Sequence, residues 1–211
     1  ANGEYAISHF DTPEGNVLLP PVEHVWVNGK CHLCGASKDA LNDRTESHAY
    51  AFIHSINPEK VFHMKFDVII GNPPYQLTTS NTSAQATPLY NRFIEQAIQV
   101  KPRHLCMIVP ARWFSGGMGL DAFRSNMIRD KRMEVLHDFL DSEECFSGVE
   151  IKGGVCYFLW SQNHNGQCKI YTHERGKDTR ESLRFMKEDG LEIFIRHQVG
   201  VDIYHKVHAH N

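Results

Sequence analysis

One stretch, Lys65 to Tyr75 ("KFDVIIGNPPY"), constrains this chain more than any other. Val68, Ile69 and Ile70 form a short apolar run closed by Gly71, which predicts a strand over 66–71 buried on both faces, the habit of a parallel sheet. Its exit is the unusual part. Each proline confines the residue before it to extended backbone, and neither has an N–H for a ladder. Asn72, Pro73, Pro74 and Tyr75 must therefore leave the sheet as a stiff turn that presents carbonyl oxygens.

The segments that follow alternate in period. After Pro88, "LYNRFIEQAIQV" places Leu89, Phe93, Ala97 and Val100 at near-helical spacing, with proline suited to the helix start. "HLCMIVP" (104–110) predicts a second buried strand, "LDAFRSNMIRD" (120–130) a second helix and "MEVLHDFL" (133–140) a third strand. "GGVCYFLW" (153–160) and "CKIYTH" (168–173), separated by "SQNHNGQ", predict a late antiparallel pair. Strand, helix, strand, helix, strand is the order of a parallel α/β sheet. Before it the chain is loop-rich, with turn chemistry in "DTPEGN" and a short helix in "SHAYAFIHS" (47–55), where Ser47 is a cap candidate and Ala49, Phe52 and Ile53 face inward.

With 211 residues, 41% of them hydrophobic, the chain can bury one substantial core. No apolar run approaches the ~18 residues that cross a bilayer, so no membrane partner is expected and a cytoplasmic location is. A formal charge of −3 excludes a grip on nucleic acid by overall basicity; any such grip must be local.

A ligand in an open α/β sheet binds beyond the carboxyl ends of the strands, where Asn72 to Tyr75 emerge. The Asn72 side-chain carbonyl and a proline carbonyl beside an exocyclic amine could accept both of its protons, and Tyr75 could stack on a planar heterocycle. Such a turn suits an aromatic amine. A second constellation is "KCHLCGA": Cys31 and Cys34 have the spacing of a zinc knuckle, with His24, His48 and His54 as candidates to complete it. The same residues also suit reduced cysteines in a β-turn. "HKVHAH" (205–210) is expected to be a solvated His-rich tail, not a metal site.

"GNPPY" after a strand resembles motif IV of the S-adenosylmethionine-dependent amino-methyltransferases, above all the N6-adenine DNA methyltransferases. Residues 88–130 are similar to the helix, strand and helix of gamma-class enzymes in combined restriction–modification proteins, and "DSEECFSGVEIKGGVCYFLW" (141–160) to their next block. The resemblance implies a partial Rossmann-like methyltransferase fold of α/β class, the catalytic half, with a loop-rich N-terminal insertion. It also implies S-adenosylmethionine as methyl donor, double-stranded DNA as partner, and restriction and specificity modules either fused or separate. Asn72, Pro73, Pro74 and Tyr75 become catalytic candidates, and Phe146 of "CFSGV" a second residue holding an extruded base. A core phenylalanine is the alternative reading of Phe146.

One departure matters. Residues 1–65 contain no strand followed by the glycine loop with which these enzymes hold the donor, and "FSGGMGL" (114–120) reads better as the flexible edge of a binding loop. The expectation is a catalytic half that is inactive alone: 1–61 loop-rich with the knuckle, 62–175 catalytic, 176–211 leading towards a target-recognition domain. Protein-glutamine and RNA amino-methyltransferases share Asn-Pro-Pro-Tyr and remain alternatives, as does a non-catalytic zinc-knuckle module that binds nucleic acid.

Overall fold

The computed structural model describes residues 23–38, 52–58, 65–76 and 87–209. The expectations for "DTPEGN", Ser47, His48, Ala49 and His210 lie outside them. The described elements are β1 (Trp26–Val27), β2 (Lys30–Cys31), β3 (Val68–Gly71), α1 (Tyr90–Gln99), β4 (His104–Pro110), α2 (Asp121–Arg129), β5 (Met133–Phe139), β6 (Val155–Ser161), β7 (Cys168–His173), β8 (Arg180–Arg184) and α3 (Gln198–His208). β1 and β2 form a small antiparallel ribbon, and the other six strands form one mixed sheet in the order β3-β4-β6-β5-β7-β8.

One face of the sheet carries the core. Alternation along β4 turns Leu105, Met107 and Val109 inward, and β6 adds Phe158 and Trp160, all of them buried. Tyr90, Ile94 and Ala97 of α1 and Phe123, Met127 and Ile128 of α2 close over them, with Trp113, Phe114 and Phe194 in the same cluster. The opposite face is half-buried and bears a row of stacked rings: Tyr157, His137 and Tyr171 lie 4.4 Å apart in turn, on three neighbouring strands whose register makes them direct partners.

Three expectations are corrected. β3 is not buried on both faces: it pairs among the described residues only with β4, and Val68 and Ile70 are 49% and 78% exposed. A Val-Ile-Ile run reads alike in a central strand and at an edge, because only the neighbours differ. β6 and β7 are not a pair. β5 lies between them, antiparallel to β6 and parallel to β7, and residues 162–167 need cross only two strand spacings, about 10 Å. The C-terminal histidines are not a tail, since His205 and His208 lie in α3 and His205 Nε2 is 2.8 Å from a Glu188 carboxylate oxygen.

A long-range ion pair ties the C-terminal segment to the sheet. Arg196 forks onto the fully buried Asp138 of β5 with bonds of 2.7 and 2.5 Å, and also donates to the Gly153 carbonyl at 2.9 Å. Burial pushes the Asp138 carboxyl above its ordinary range, against the pull of Arg196. Arg196→Ala should cost about 3–5 kcal/mol at neutral pH, because it strands a buried charge. A raised carboxylate pKa means that the native state holds the proton more tightly than the unfolded chain. Asp138 thus favours folding most below about pH 4, and the benefit is lost as pH rises through the folded value. Urea unfolding of Arg196→Ala should show a penalty that grows from pH 4.5 to pH 8; a pH-independent penalty would mean that the lost contact is packing and not charge.

Candidate functional site

Three segments meet at the carboxyl end of the β3–β4 pair. β3 hands over at Gly71, beside Met107, to an exposed Asn72, a buried Pro73, an exposed Pro74 and a half-buried Tyr75. The turn is held at its far end. The Tyr75 carbonyl accepts from Leu89 N–H at 3.1 Å, and Gln76 bridges Pro88. This tie also explains why α1 opens at Tyr90 rather than at Pro88, which is engaged in the bridge.

The second segment follows β4. Ala111 N–H donates to the Gly154 carbonyl at 3.0 Å, and the short 3-10 turn Ala111–Phe114 buries Trp113 and Phe114 while leaving Arg112 exposed. The third is the loop before β6, stapled by the buried Ser142. Its hydroxyl donates to the Val149 carbonyl and accepts from Ile151 N–H, both at 2.8 Å. Gly154 closes this loop at φ +80°, where a Cβ would sit 2.0 Å from the Phe139 carbonyl oxygen, so only glycine fits.

Between the three segments lies a cavity of about 290 Å³, near the lower limit of ordinary ligand pockets. Tyr75 and Gln76 come to it from the turn, Pro110 and Arg112 from the end of β4, Met118 and Leu120 from the glycine segment, and Glu150, Ile151 and Lys152 from the stapled loop. Asn72 and Phe146 are not among its lining residues. Asn72 stands exposed at the head of the turn, and Phe146 is half-buried in the loop that supplies Ile151. The Tyr75 hydroxyl is buried without a hydrogen-bond partner among the described residues, and burial, with Cys156 and Cys145 nearby, pushes its pKa up to about 12. It is a neutral phenol across the working pH range.

Arg112 and Lys152, two cations on this wall, were not singled out from the sequence. Arg112 had a local signal, since it follows the proline that ends β4; Lys152 had none, because its place depends on the Ser142 staple. The glycines of 114–120 edge the cavity through Met118 and Leu120. The space where Gly116 would carry a Cβ is taken by the Arg124 guanidinium, 2.0 Å away, and not by an opening for a ligand.

Away from this cavity, Cys31 and Cys34 face His24 and His54. Cys31 Sγ is 3.3 Å from His54 Nε2, Cys34 Sγ is 3.6 Å from His24 Nδ1, and the four ligand atoms all lie within 4.8 Å of one another. Burial opposes ionising Cys31, yet the N–H groups of Cys34 and Leu33 and the two imidazoles outweigh it and bring the thiol to about 6. Cys34 moves oppositely, to about 12, through burial and the neighbouring Cys31.

Residues 4–146 match the family model described as "Eco57I restriction-modification methylase". A Mycoplasma pneumoniae protein described as an "uncharacterized adenine-specific methylase" is 35% identical over 232 residues, which take in 98% of this chain and 54% of that protein; the chain thus spans about half the length of this curated relative. Among solved structures, a nuclease-deletion mutant of the Type ISP restriction–modification enzyme LlaGI, in complex with a DNA substrate mimic, aligns over 76% of this chain and 18% of its own at 13% identity and TM-score 0.43. The methyltransferase subunit of a type I restriction–modification system from Streptococcus thermophilus aligns over 69% and 32% at 9% identity and TM-score 0.38. Likenesses this low carry no weight beside the sequence match. With 143 consecutive residues spanned by one family model, the chain belongs to the Eco57I restriction-modification methylase family.

Proposed function

We propose that the whole protein transfers a methyl group from S-adenosylmethionine to the exocyclic amine of an adenine extruded from double-stranded DNA, as the modifying arm of a restriction–modification system. The observation that carries this reading is that Tyr75, the last residue of the Asn-Pro-Pro-Tyr turn, lines a cavity walled by the end of β4 and the loop before β6. Family membership supports it, and so does the description of the Mycoplasma pneumoniae relative as adenine-specific.

The described residues suit the acceptor better than the donor. Of the glycines that follow β4, Gly116 is closed by the Arg124 guanidinium while Gly117 and Gly119 face open space, so the described residues show no complete cradle for the donor. Its site is assigned to the remainder of a longer polypeptide, in keeping with a relative nearly twice the matched length. On that assignment the chain alone does not turn over.

On the acceptor side, the side-chain carbonyl of the exposed Asn72 and the Pro73 backbone carbonyl accept hydrogen bonds from the two amine N–H groups. This draws the nitrogen lone pair out of conjugation and towards the incoming methyl carbon. Pro73 and Pro74 keep these acceptors fixed, so little reorganisation is left for the moment of reaction. Tyr75 supplies a flat neutral surface and Phe146 a second hold on the extruded base. Arg112 and Lys152, at the cavity wall of a chain whose net charge is −3, supply the local attraction for phosphate that overall charge does not.

In the full-length protein, Asn72→Ala should lower methyl incorporation into duplex DNA by about 10²–10³ while leaving DNA affinity nearly unchanged, because the side chain acts on the amine and not on the phosphates. Near-normal turnover would remove the assignment.

Tyr75→Phe deletes a buried hydroxyl that has no partner among the described residues, so it should keep most activity and raise stability by about 1 kcal/mol in urea unfolding. Tyr75→Ala should lose activity through weaker retention of the base. If Phe and Ala prove equally damaging, the hydroxyl and not the ring is the working group.

A further inference from the structure

The cysteine–histidine cluster is built like a closed metal site. A two-residue turn at Asn28 and Gly29, both at positive φ, joins β1 to β2 and brings Cys31 to the end of the ribbon. The chain then folds back on itself: Gly35 N–H donates to the Cys31 carbonyl and Cys31 N–H to the Ala36 carbonyl, each at 2.8 Å. Both sulfurs end up on one side of the turn. Ala36 N–H also points at Cys34 Sγ, 3.4 Å away. His24 enters from the residues just before the ribbon, and His54 from the helical residues 52–54.

Two thiolates and two neutral imidazoles match the tetrahedral S₂N₂ preference of zinc and compensate its charge. With metal–ligand bonds of about 2.0–2.3 Å, a tetrahedral site spaces its ligand atoms by about 3.3–3.8 Å. The 3.3 and 3.6 Å pairs are already there, and none of the four atoms exceeds 4.8 Å from another. Cys31 and Cys34 are almost wholly buried in a satellite cluster that, among the described residues, also buries Ala36, Ile53 and Leu89. A metal that clips such a satellite core adds its binding free energy to folding.

We propose that His24, Cys31, Cys34 and His54 bind one zinc ion in a closed structural site that fastens the 23–38 ribbon and residues 52–55 onto α1. Four protein ligands leave no open position, so the ion does no chemistry. Its effect reaches the acceptor turn by packing. Gln96 of α1 donates to the Ser55 and Ile53 carbonyls at 2.7 and 3.1 Å, and Leu89, whose N–H holds the Tyr75 carbonyl, is part of the same apolar cluster. This inference does not rest on the proposed methyl transfer, and its test needs no activity assay.

The test is metal analysis by mass spectrometry of protein purified without a histidine tag, together with cobalt substitution of chelator-stripped protein. About one zinc per chain is expected, and the cobalt form should show both the visible bands of a tetrahedral ion and thiolate-to-metal charge transfer. Cys34→Ser and His54→Ala should each lose the zinc, while His208→Ala, at an exposed histidine, should keep it. Stripping should also cost amide exchange protection over residues 25–36 and 52–55. Metal-free wild type that takes up cobalt without a thiolate band would overturn the site, as would a Cys34→Ser protein with undiminished zinc.

Discussion

The parallel pairing of β3 with β4 sets the position of everything at the site. Ile69 opposite Leu105 and Gly71 opposite Met107 fix where the Asn-Pro-Pro-Tyr turn starts, and a slip of one residue would turn Ile69 away from the core. From that register the turn runs towards Pro88, where the Leu89 bond to the Tyr75 carbonyl ends its freedom. The prolines are rigid, but rigidity is useful only when both ends are anchored. One anchor is sheet hydrogen bonding, and the other is the first turn of α1.

The remaining cavity walls depend on contacts made at long range. The Ser142 staple shapes the loop that carries Ile151 and Lys152, and Arg196 holds the Gly153 carbonyl while neutralising Asp138, 58 residues away in sequence. Gly154 lets this loop pass against the Phe139 carbonyl. A buried ion pair is a costly way to fix a corner. Here it ties the C-terminal segment, the β5 carboxylate and the loop before β6 to one another beside the proposed acceptor pocket, which an apolar contact of similar size would do with less directional control.

What was legible in the sequence follows the range of the forces involved. The bounds of β4 and β5 could be read because short apolar runs bounded by proline or charge are a local signal, and the turn at 72–75 because prolines impose it on their neighbours. The exposure of β3 could not, since Val-Ile-Ile carries no record of how many strands lie beside it. Nor could the insertion of β5 between β6 and β7, because "SQNHNGQ" looks like a turn whether it spans one strand spacing or two. Cys-x-x-Cys marked half of the cysteine–histidine cluster. The choice of His24 and His54 needed the docking of residues 52–55 on Gln96, a contact across more than 40 residues. Arg196 and Asp138 gave no warning, since each is an ordinary charged residue until the fold brings them together.

The central claim is that the turn, the end of β4 and the loop before β6 together make an acceptor site for an adenine amine. The most direct measurement is the identity of the methylated product: full-length protein is incubated with duplex DNA and methyl-labelled S-adenosylmethionine, and the DNA is digested to nucleosides. Label in N6-methyl-2′-deoxyadenosine is the predicted result. Unmodified DNA alongside labelled protein or RNA, or label at a cytosine, would contradict it.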